Sequence, residues 1–416
     1  MTSTPKSMRL HIGIFGRTNV GKSSLMNLIA AQDVALTSPI AGTTTDVVEK
    51  PIELLPIGPV NLMDTAGLDD VTELGLDRRE RTRRALERTE AAILVAEPNV
   101  WTEHEQNVVD ELKKKSIPFI VIINKVDMLE PNAEFLEFLA TQTPNFMGLS
   151  SADTSKYNEY LIEIKSLLRR VLPAEMFRPL PLISDLLPEK DGLVVMIIPI
   201  DSQAPKGRII LPQVQTLRDA LDNGVVSVVT RETEFLQSLA MLARKPDLVI
   251  CDSQVVHKMV AETPPTVPCT TFSILFSRFK GDIVEEARGA AAISKLRAGD
   301  KILIAEACSH HPLEDDIGRI KIPRWLRGYL DEEIQIDHVN GRDYPANISE
   351  YKLVIHCGSC MLTRFEKLAR IEKAAQAGVP ITNYGLTISY IQGVLERVLT
   401  PFPAALKAHR EALNNG

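Results

Sequence analysis

The sequence is poor in aromatic residues and cysteines and has no long apolar run. Aromatic residues make up 5% of its 416 residues, while 44% are hydrophobic, so Val, Ile and Leu strands in α/β layers are favoured. Five cysteines are too sparse for a disulfide-stapled secreted domain, and no signal peptide precedes the first predicted strand. The longest apolar run, residues 193–200, is too short to span a bilayer. We therefore expect a cytoplasmic protein.

An excess of positive charge is also missing. The formal net charge is −7, and no basic stripe of the kind that follows a phosphate backbone is evident. This composition argues against a general nucleic-acid binder. We expect neither a nucleic-acid partner nor a membrane partner.

The chain is longer than one hydrophobic core usually organises. Proline-rich stretches at 172–181 and 262–268 interrupt the alternation of strand and helix patterns. We predict an α/β protein of three domains with mainly parallel sheets, at residues 1–172, 182–263 and 266–416. Apolar runs at 193–200 and 272–276 are predicted strands, the second opening the last domain.

A phosphate-binding loop follows the first predicted strand. Residues 16–23 fit G-x-x-x-x-G-K-S between a strand and a helix, which is the context that this motif requires. Lys22 is expected to reach the β- and γ-phosphates, and Ser23 to bind magnesium. The residues of this loop predicted to contact the nucleotide are Gly16, Asn19, Val20, Gly21, Lys22, Ser23 and Ser24.

Guanine selectivity is predicted from Asn124, Lys125 and Asp127, which end a later strand as N-K-x-D. The Asp127 carboxylate can accept hydrogen bonds from guanine N1 and N2, whereas adenine lacks the N2 donor. The tetrapeptide alone is weak, but its order after the phosphate loop makes the first domain a predicted GTP-binding domain.

Two further segments complete the predicted nucleotide site. Asp64 and Gly67, in D-T-A-G, supply a magnesium-side carboxylate and an amide that can sense the γ-phosphate. Ser150, Ser151 and Ala152 can support the base.

These motifs resemble those of the TrmE/Era-like GTPases over about the first 170 residues. The resemblance implies that Thr44, in the first switch segment 42–46, binds magnesium and that Asn19 coordinates a potassium ion. With Leu68 in place of the glutamine of Ras-like enzymes, hydrolysis is expected to be slow without potassium or a partner. The expected catalytic residues are Lys22, Thr44 and Gly67; Glu73 is left unassigned.

Soft metal ligands cluster far downstream of the nucleotide motifs. Cys308 and His310 follow one predicted strand and, after a gap of 45 residues, His356, Cys357 and Cys360 follow another. Carboxyl ends of parallel strands share one sheet edge, so the two groups are expected to converge. Thiolate and imidazole ligands select zinc or an iron–sulfur cluster, and spacing alone does not choose between them. Cys251 and Cys269 are interpreted as structural.

The whole chain resembles the HydF family, the maturation GTPases of FeFe-hydrogenases, because the Cys-x-His and His-Cys-x-x-Cys groups stand behind a TrmE/Era-like domain and a middle domain. The resemblance implies a 4Fe–4S cluster held by Cys308, Cys357 and Cys360, with His310 as the possible fourth ligand. The secondary candidates for the fourth position are His356, Glu306, Asp315 and Asp316.

The same resemblance implies a GTP-hydrolysing scaffold that delivers a two-iron precursor to apo FeFe-hydrogenase, with radical S-adenosylmethionine maturation enzymes as further partners. It also implies GTP or GDP, Mg²⁺, K⁺ and the cluster as cofactors, and a homodimer formed by the middle domain. The run 193–200 fits a dimer as an edge strand, although a buried central strand remains open. The alternative function is a TrmE/Era-like GTPase of tRNA modification or ribosome assembly with structural zinc.

Overall fold

Parallel strands of Val, Ile and Leu organise both parts of the chain. The computed structural model describes residues 4–30, 48–65, 85–173, 181–189, 191–200, 209–307, 316–341, 344–345 and 347–414. The chain divides into two compact units, Met1–Pro179 and Leu180–Gly416. No helix in the described ranges is long and apolar enough to cross a membrane.

The first unit is built on a six-stranded sheet in the order β2-β3-β1-β4-β5-β6. Only β2, which is antiparallel to β3, departs from the parallel arrangement. Its strands are β1 (Leu10–Phe15), β2 (Val48–Leu54), β3 (Gly58–Asp64), β4 (Ala91–Ala96), β5 (Phe119–Ile123) and β6 (Phe146–Gly148). Its helices are α1 (Lys22–Ala30), α2 (Glu103–Lys114), α3 (Ala133–Gln142) and α4 (Tyr157–Val171).

The second unit contains two parallel four-stranded sheets, in the orders β10-β9-β7-β8 and β12-β11-β13-β14. The strands are β7 (Leu193–Ile197), β8 (Val226–Thr230), β9 (Leu248–Cys251), β10 (Cys269–Thr271), β11 (Lys301–Ala305), β12 (Gln335–Val339), β13 (Leu353–His356) and β14 (Ile381–Asn383). A single apolar core, containing residues from Leu182 to Ala405, joins the two sheets.

Helices connect and cover these strands. They are α5 (Leu211–Asp222), α6 (Phe235–Ala240), α7 (Val256–Glu262), α8 (Phe272–Lys280), α9 (Ile283–Ala290), α10 (Ile322–Leu330), α11 (Arg364–Gln376), α12 (Tyr384–Ile391), α13 (Leu395–Val398) and α14 (Pro403–Asn414). The predicted α/β class with mainly parallel sheets is therefore confirmed. The three domain boundaries stay predictions. β10 follows the predicted boundary at 266, but it pairs with β9 and so belongs to the same sheet as the strands before that boundary.

One predicted strand is wrong, and one open alternative is decided. Residues 272–276 begin α8, whose first turn is capped by the Thr271 hydroxyl accepting from the Ile274 N–H at 3.2 Å. Four of these five residues are apolar and buried, and so short an apolar run does not separate a buried helix from a buried strand. For the run 193–200 the sequence left an edge strand and a buried central strand open, and the structure shows the central strand: β7 lies between β9 and β8, and the edges of this sheet are β8 and β10.

Glu49 on β2 ties the antiparallel strand to the rest of the first unit. Its carboxylate pairs with Arg88 and Lys6 and accepts a 2.9 Å hydrogen bond from Asn61 Nδ2. Burial on its own would raise the pKa of Glu49, but these partners outweigh it and lower the pKa from 4.5 to about 2.

We expect Glu49→Gln to lower the free energy of unfolding of this unit by about 2 kcal/mol at neutral pH. Because the folded-state pKa is depressed, the contribution is complete above the unfolded value of 4.5 and is lost as pH falls towards about 2. The deficit should therefore shrink over that range. Urea unfolding followed by Trp101 fluorescence, with Trp325→Phe in every variant, measures it. Glu53→Gln, an exposed change on the same strand, is the control, and an equal deficit at pH 3 and pH 7 would contradict the account.

Candidate functional sites

Two positions of the phosphate loop have backbone conformations that require glycine. Gly16 and Gly21 have φ angles of +145° and +98°, and a Cβ there would collide with the Val95 carbonyl oxygen and the Asn124 side-chain nitrogen. Asn19 also has a positive φ of 65°. The buried Lys22 ammonium donates to the carbonyl oxygens of Gly16 at 2.6 Å and Arg17 at 2.8 Å. The loop thus curls around the lysine that is predicted to bind phosphate.

The two predicted magnesium-side groups lie together. Ser23, at the start of α1, donates from Oγ to Asp64 Oδ2 at 2.5 Å, and Asp64 ends β3 with 3% of its surface exposed. Paired hard oxygen ligands of this kind suit Mg²⁺. The other two residues predicted beside them, Thr44 and Gly67, lie outside the described residues.

Asn124 connects the guanine motif to the phosphate loop. Its Nδ2 donates to the Val20 carbonyl at 2.8 Å, and its Oδ1 accepts from the Ser151 N–H at 2.9 Å. Ser150 Oγ in turn accepts from the Ala152 N–H at 3.3 Å. The Asp127 side chain is exposed, so its carboxylate is accessible to a base. The structure therefore brings together the phosphate loop, N-K-x-D and the Ser150 segment.

A charged network that the motifs do not include supports the same site. Arg17 Nε donates to Glu105 Oε1 at 2.8 Å, and Arg17 pairs with Glu97 at 3.4 Å. Glu97 also pairs with Lys125 at 2.6 Å, which connects the phosphate loop to the guanine loop. Glu105 is fully buried; burial would raise its pKa, but hydrogen bonds from Thr102 and Arg17 lower it. Glu97 and Glu105 lie outside the nucleotide-binding motifs, so no motif in the sequence identifies them as residues of this site.

The thiol site lies in the second unit at the carboxyl ends of two neighbouring parallel strands. β11 and β13 pair with Ala305 opposite His356. Cys357 follows β13 directly, and its N–H donates to the Ala305 carbonyl at 2.9 Å. The predicted convergence of these strand ends is therefore confirmed. Cys308, three positions beyond β11, and His310 lie outside the described residues.

Cys357 and Cys360 are reduced thiols on a short turn before α11. The Ala307 N–H donates to Cys357 Sγ at 3.1 Å, the kind of contact that stabilises a thiolate. Between the cysteines, Ser359 is 1% exposed and has a φ of 58°, which turns the chain so that both thiols belong to one tight loop. The N-terminus of α11 follows at Arg364, after a capping box of Thr363 and Glu366.

Buried cations surround this loop. Lys280 donates from Nζ to the Leu362 carbonyl at 2.8 Å, while Lys367 pairs with the buried Glu286 at 2.5 Å. Burial raises the pKa of both thiols, that of Cys360 to about 11. Lys367 and Arg370 offset part of this rise in the pKa of Cys357, and Lys280 offsets part of the rise in the pKa of Cys360. The positive charge would offset the cost of burying thiolates or an anionic group bound to them.

His356 is held by hydrogen bonds at both ring nitrogens. Arg370 Nη1 donates to Nε2 at 2.9 Å, and because a guanidinium only donates, Nε2 is the acceptor. Nδ1 then carries the hydrogen and donates to the Cys357 carbonyl at 3.0 Å. Burial and the cations Lys367 and Arg370 lower the pKa of His356 well below its usual value. The ring fixes the cysteine turn, and we do not propose His356 as a metal ligand.

The other secondary candidates for the fourth cluster ligand are Glu306, Asp316 and Asp315. The first two already make contacts within the protein. Glu306 is 3% exposed, accepts from the Tyr384 hydroxyl at 3.3 Å and pairs with Arg319 at 3.5 Å. Asp316 caps the turn that begins at Ile317, and Asp315 lies outside the described residues. Within the described ranges, no group of three or more His, Cys, Asp or Glu side chains is arranged to hold a metal ion.

Sequence reasoning missed the cations Lys280, Lys367 and Arg370. The last two are three residues apart on α11, so their shared face could have been predicted from helical spacing behind the Cys-x-x-Cys pair. Lys280 lies about eighty positions from the cysteines in sequence and carried no such signal. Cys251 and Cys269 are fully buried on β9 and β10, in agreement with a structural role.

Three family models match the chain. Residues 182–281 match the hydrogen maturase F dimerization domain, and residues 284–401 match the hydrogen maturase F tetramerization domain. Residues 11–125 match the 50S ribosome-binding GTPase model. The two hydrogen maturase F models together span nearly all of the second unit, and the third covers most of the nucleotide site.

Curated relatives match about a third of this chain. The tRNA modification GTPase MnmE of Chromobacterium violaceum is 40% identical over 123 residues, which are 29% of this chain and 26% of the relative. The same protein from Cyanothece sp. is 33% identical over 163 residues, 35% of this chain and 34% of the relative. The chain thus spans about a quarter to a third of the length of these relatives.

Solved structures that align with part of the chain include an Era protein of Aquifex aeolicus bound to GDP and aluminium fluoride. It aligns with a TM-score of 0.31 and 19% identity, over 56% of this chain and 98% of that chain. A bacterial selenocysteine-specific elongation factor aligns with a TM-score of 0.30 and 15% identity, over 40% of this chain and 30% of that chain.

Proposed function

We propose a function for this chain from its family, since it belongs to the hydrogen maturase F (HydF) family and is a GTPase. The proposed function is that of a scaffold, which holds a 4Fe–4S cluster and delivers a two-iron precursor to apo FeFe-hydrogenase. The observation that carries this proposal is the cysteine turn at the end of β13, beside the strand that leads to Cys308, among buried cations. Radical S-adenosylmethionine maturation enzymes are the proposed suppliers of the precursor.

The residues present fit such a cluster. Cys357 and Cys360 are reduced thiols, and the Ala307 N–H and the cations Lys280, Lys367 and Arg370 favour negative charge on them. With Cys308 as the third thiolate, one iron would have an exchangeable fourth ligand, for which we propose His310. When bound, the cluster would supply an open iron for the attachment of cargo.

GTP hydrolysis is assigned to residues of the first unit. We propose that Lys22 binds the β- and γ-phosphates, that Ser23 and Asp64, which are hydrogen-bonded to each other, bind magnesium, and that the exposed Asp127 binds guanine. We propose that Thr44 completes the magnesium site and that the Gly67 amide senses the γ-phosphate.

The tRNA-modification alternative finds less support. Its relatives cover 29% to 35% of this chain, whereas residues 182–281 and 284–401 match two domains of the hydrogen maturase F family. Among the described residues of the second unit, no feature favours a structural zinc over a cluster. A basic RNA-binding stripe is also lacking in the sequence, whose net charge is −7.

We expect Cys308→Ala, Cys357→Ala and Cys360→Ala each to abolish the cluster, because two thiolates do not hold it. Iron, sulfide and zinc analysis after anaerobic purification measures the loss. Cys251→Ala and Cys269→Ala, which remove buried thiols from neighbouring strands, are matched controls and should retain full iron. His310→Ala should keep the iron and alter only the electron resonance signal. Stoichiometric zinc without iron, or intact clusters in any of the first three variants, would refute the assignment.

We further propose that Asn19 binds a potassium ion beside the phosphates and that hydrolysis is slow without it. GTP turnover should then be at least about tenfold faster in potassium than in sodium. Asn19→Gly should lose this response while it keeps GTP affinity, since glycine tolerates the φ of 65° and lacks the amide. Asn19→Ala serves as the strained comparison. Equal turnover in the two salts, or a potassium response in Asn19→Gly, would contradict this role.

Oligomer formation is supported by the dimerization and tetramerization domains, and we propose that β8 forms the dimer contact. Among the described strands of its sheet, β8 is an edge strand, with Val226 58% and Val229 50% exposed. Two copies can pair such edges about a two-fold axis and extend the sheet.

Val226→Lys/Val229→Lys should lower the solution mass by removing one assembly contact, because charged side chains block pairing of edge strands. Light scattering after size-exclusion chromatography measures the mass. Val48→Lys is a close control, since Val48 is also 58% exposed and lies on β2, the edge strand of the first unit. An unchanged mass in the double variant, or an equal loss in the control, would exclude β8 as the contact.

A further inference from the structure

An open groove of about 650 Å³ lies on the first unit, formed by the β2–β3 turn and α4. Its apolar part consists of Leu55, Pro56 and Ile162, of which Leu55 is 66% and Ile162 69% exposed. None of the phosphate-loop, magnesium-side or guanine-loop residues lines it. The groove is therefore separate from the nucleotide site.

The rest of the lining is basic. Lys165, Arg169 and Arg170 lie along α4 with Ser166, and no described acidic residue forms an ion pair with any of the three cations. Ile162, Ser166 and Arg169 follow i, i+4, i+7 spacing, so one face of the helix presents an apolar side chain, a hydroxyl and a cation in a row. Three positive charges in one groove stand out in a chain whose net charge is −7.

We propose that this groove binds an acidic amphipathic segment of a partner protein. Carboxylates would pair with Lys165, Arg169 and Arg170, while one or two aliphatic side chains would cover Leu55 and Ile162. Apolar contact and charge complementarity act on the same segment, so neither a purely acidic nor a purely apolar chain satisfies the groove.

A nucleic acid fits this surface poorly. Binding of single strands without base readout uses aromatic side chains for stacking, and the lining contains none. The apolar contacts offered are aliphatic, which matches Leu or Ile of a protein segment. The basic patch is also short: its three cations lie within two turns of α4, whereas nucleic-acid surfaces carry extended stripes.

The groove is formed in part by the β2–β3 hairpin, which connects the switch segment 42–46 to the D-T-A-G motif in sequence. β2 begins at Val48, directly after the predicted switch segment 42–46, and β3 ends at Asp64. A segment seated against Leu55 and Pro56 therefore contacts the turn of the hairpin whose far end includes the magnesium-side carboxylate. This inference does not depend on the proposed cluster or its cargo.

The test uses the full chain loaded with GDP and a short fluorescent helical peptide of Glu and Leu, with Leu on one face. Fluorescence anisotropy should show saturable, salt-sensitive binding, weakened about tenfold or more by Arg169→Glu/Arg170→Glu. Ile162→Ser should weaken it as well. A peptide with Gln in place of Glu, or with Ser in place of Leu, should bind much more weakly than the parent.

Lys113→Glu/Lys114→Glu is the matched control, because it reverses two exposed charges at the end of α2 in the same unit and should leave peptide binding unchanged. GTP affinity, measured in every variant, checks that the unit is folded, and Arg169→Gln/Arg170→Gln replaces the reversal if it does not fold. Three results would overturn the proposal: no saturable binding of the peptide, an equal loss in the control pair, or tighter binding of an oligouridine RNA that the Arg169→Glu/Arg170→Glu change abolishes.

Discussion

The chemistry of this chain depends on the alignment of parallel strands, which brings loops from distant parts of the sequence to one edge of a sheet. In the first unit, β1, β3 and β5 end at the phosphate loop, Asp64 and Asn124. In the second unit, β11 and β13 end beside each other before Cys308 and at Cys357. Each site is therefore determined first by strand register and only then by its side chains.

Both sites stabilise their loops with buried polar groups. Asn124 joins three segments of the nucleotide site through its amide, and His356 holds the cysteine turn through two ring nitrogens. Each group is buried and fully engaged, so its removal would leave unsatisfied partners. Lys367 and Glu286 extend this arrangement below the thiols, where Glu286 also accepts from Ser277 and from Asn383 at 3.1 Å. A rigid base of this kind keeps two thiols at fixed separation.

Much of the nucleotide site could be predicted from sequence because motif order and strand pattern agreed at Lys22, Asp64 and Asn124. The helix at Phe272 could not, since the run Phe272–Phe276 is short, mostly apolar and mostly buried, and such a run fits a buried strand as well as a buried helix. The edge position of β8 was missed for a related reason: strand order is a property of pairing between strands, which a list of strands does not contain. Lys280 acts at the thiols across a long sequence separation and has no local signature.

The antiparallel pairing of β2 with β3 has a mechanical consequence. The two strands are in register from Val48 opposite Asp64 to Leu54 opposite Gly58, and a slip of one residue would turn every side chain to the wrong face. The pairing therefore keeps the two strands of the hairpin in one register. Because β3 is also paired with β1 up to Ile14 opposite Asp64, a displacement of Asp64 by magnesium or phosphate would act on the same hydrogen-bonded ladder that ends at the turn containing Leu55.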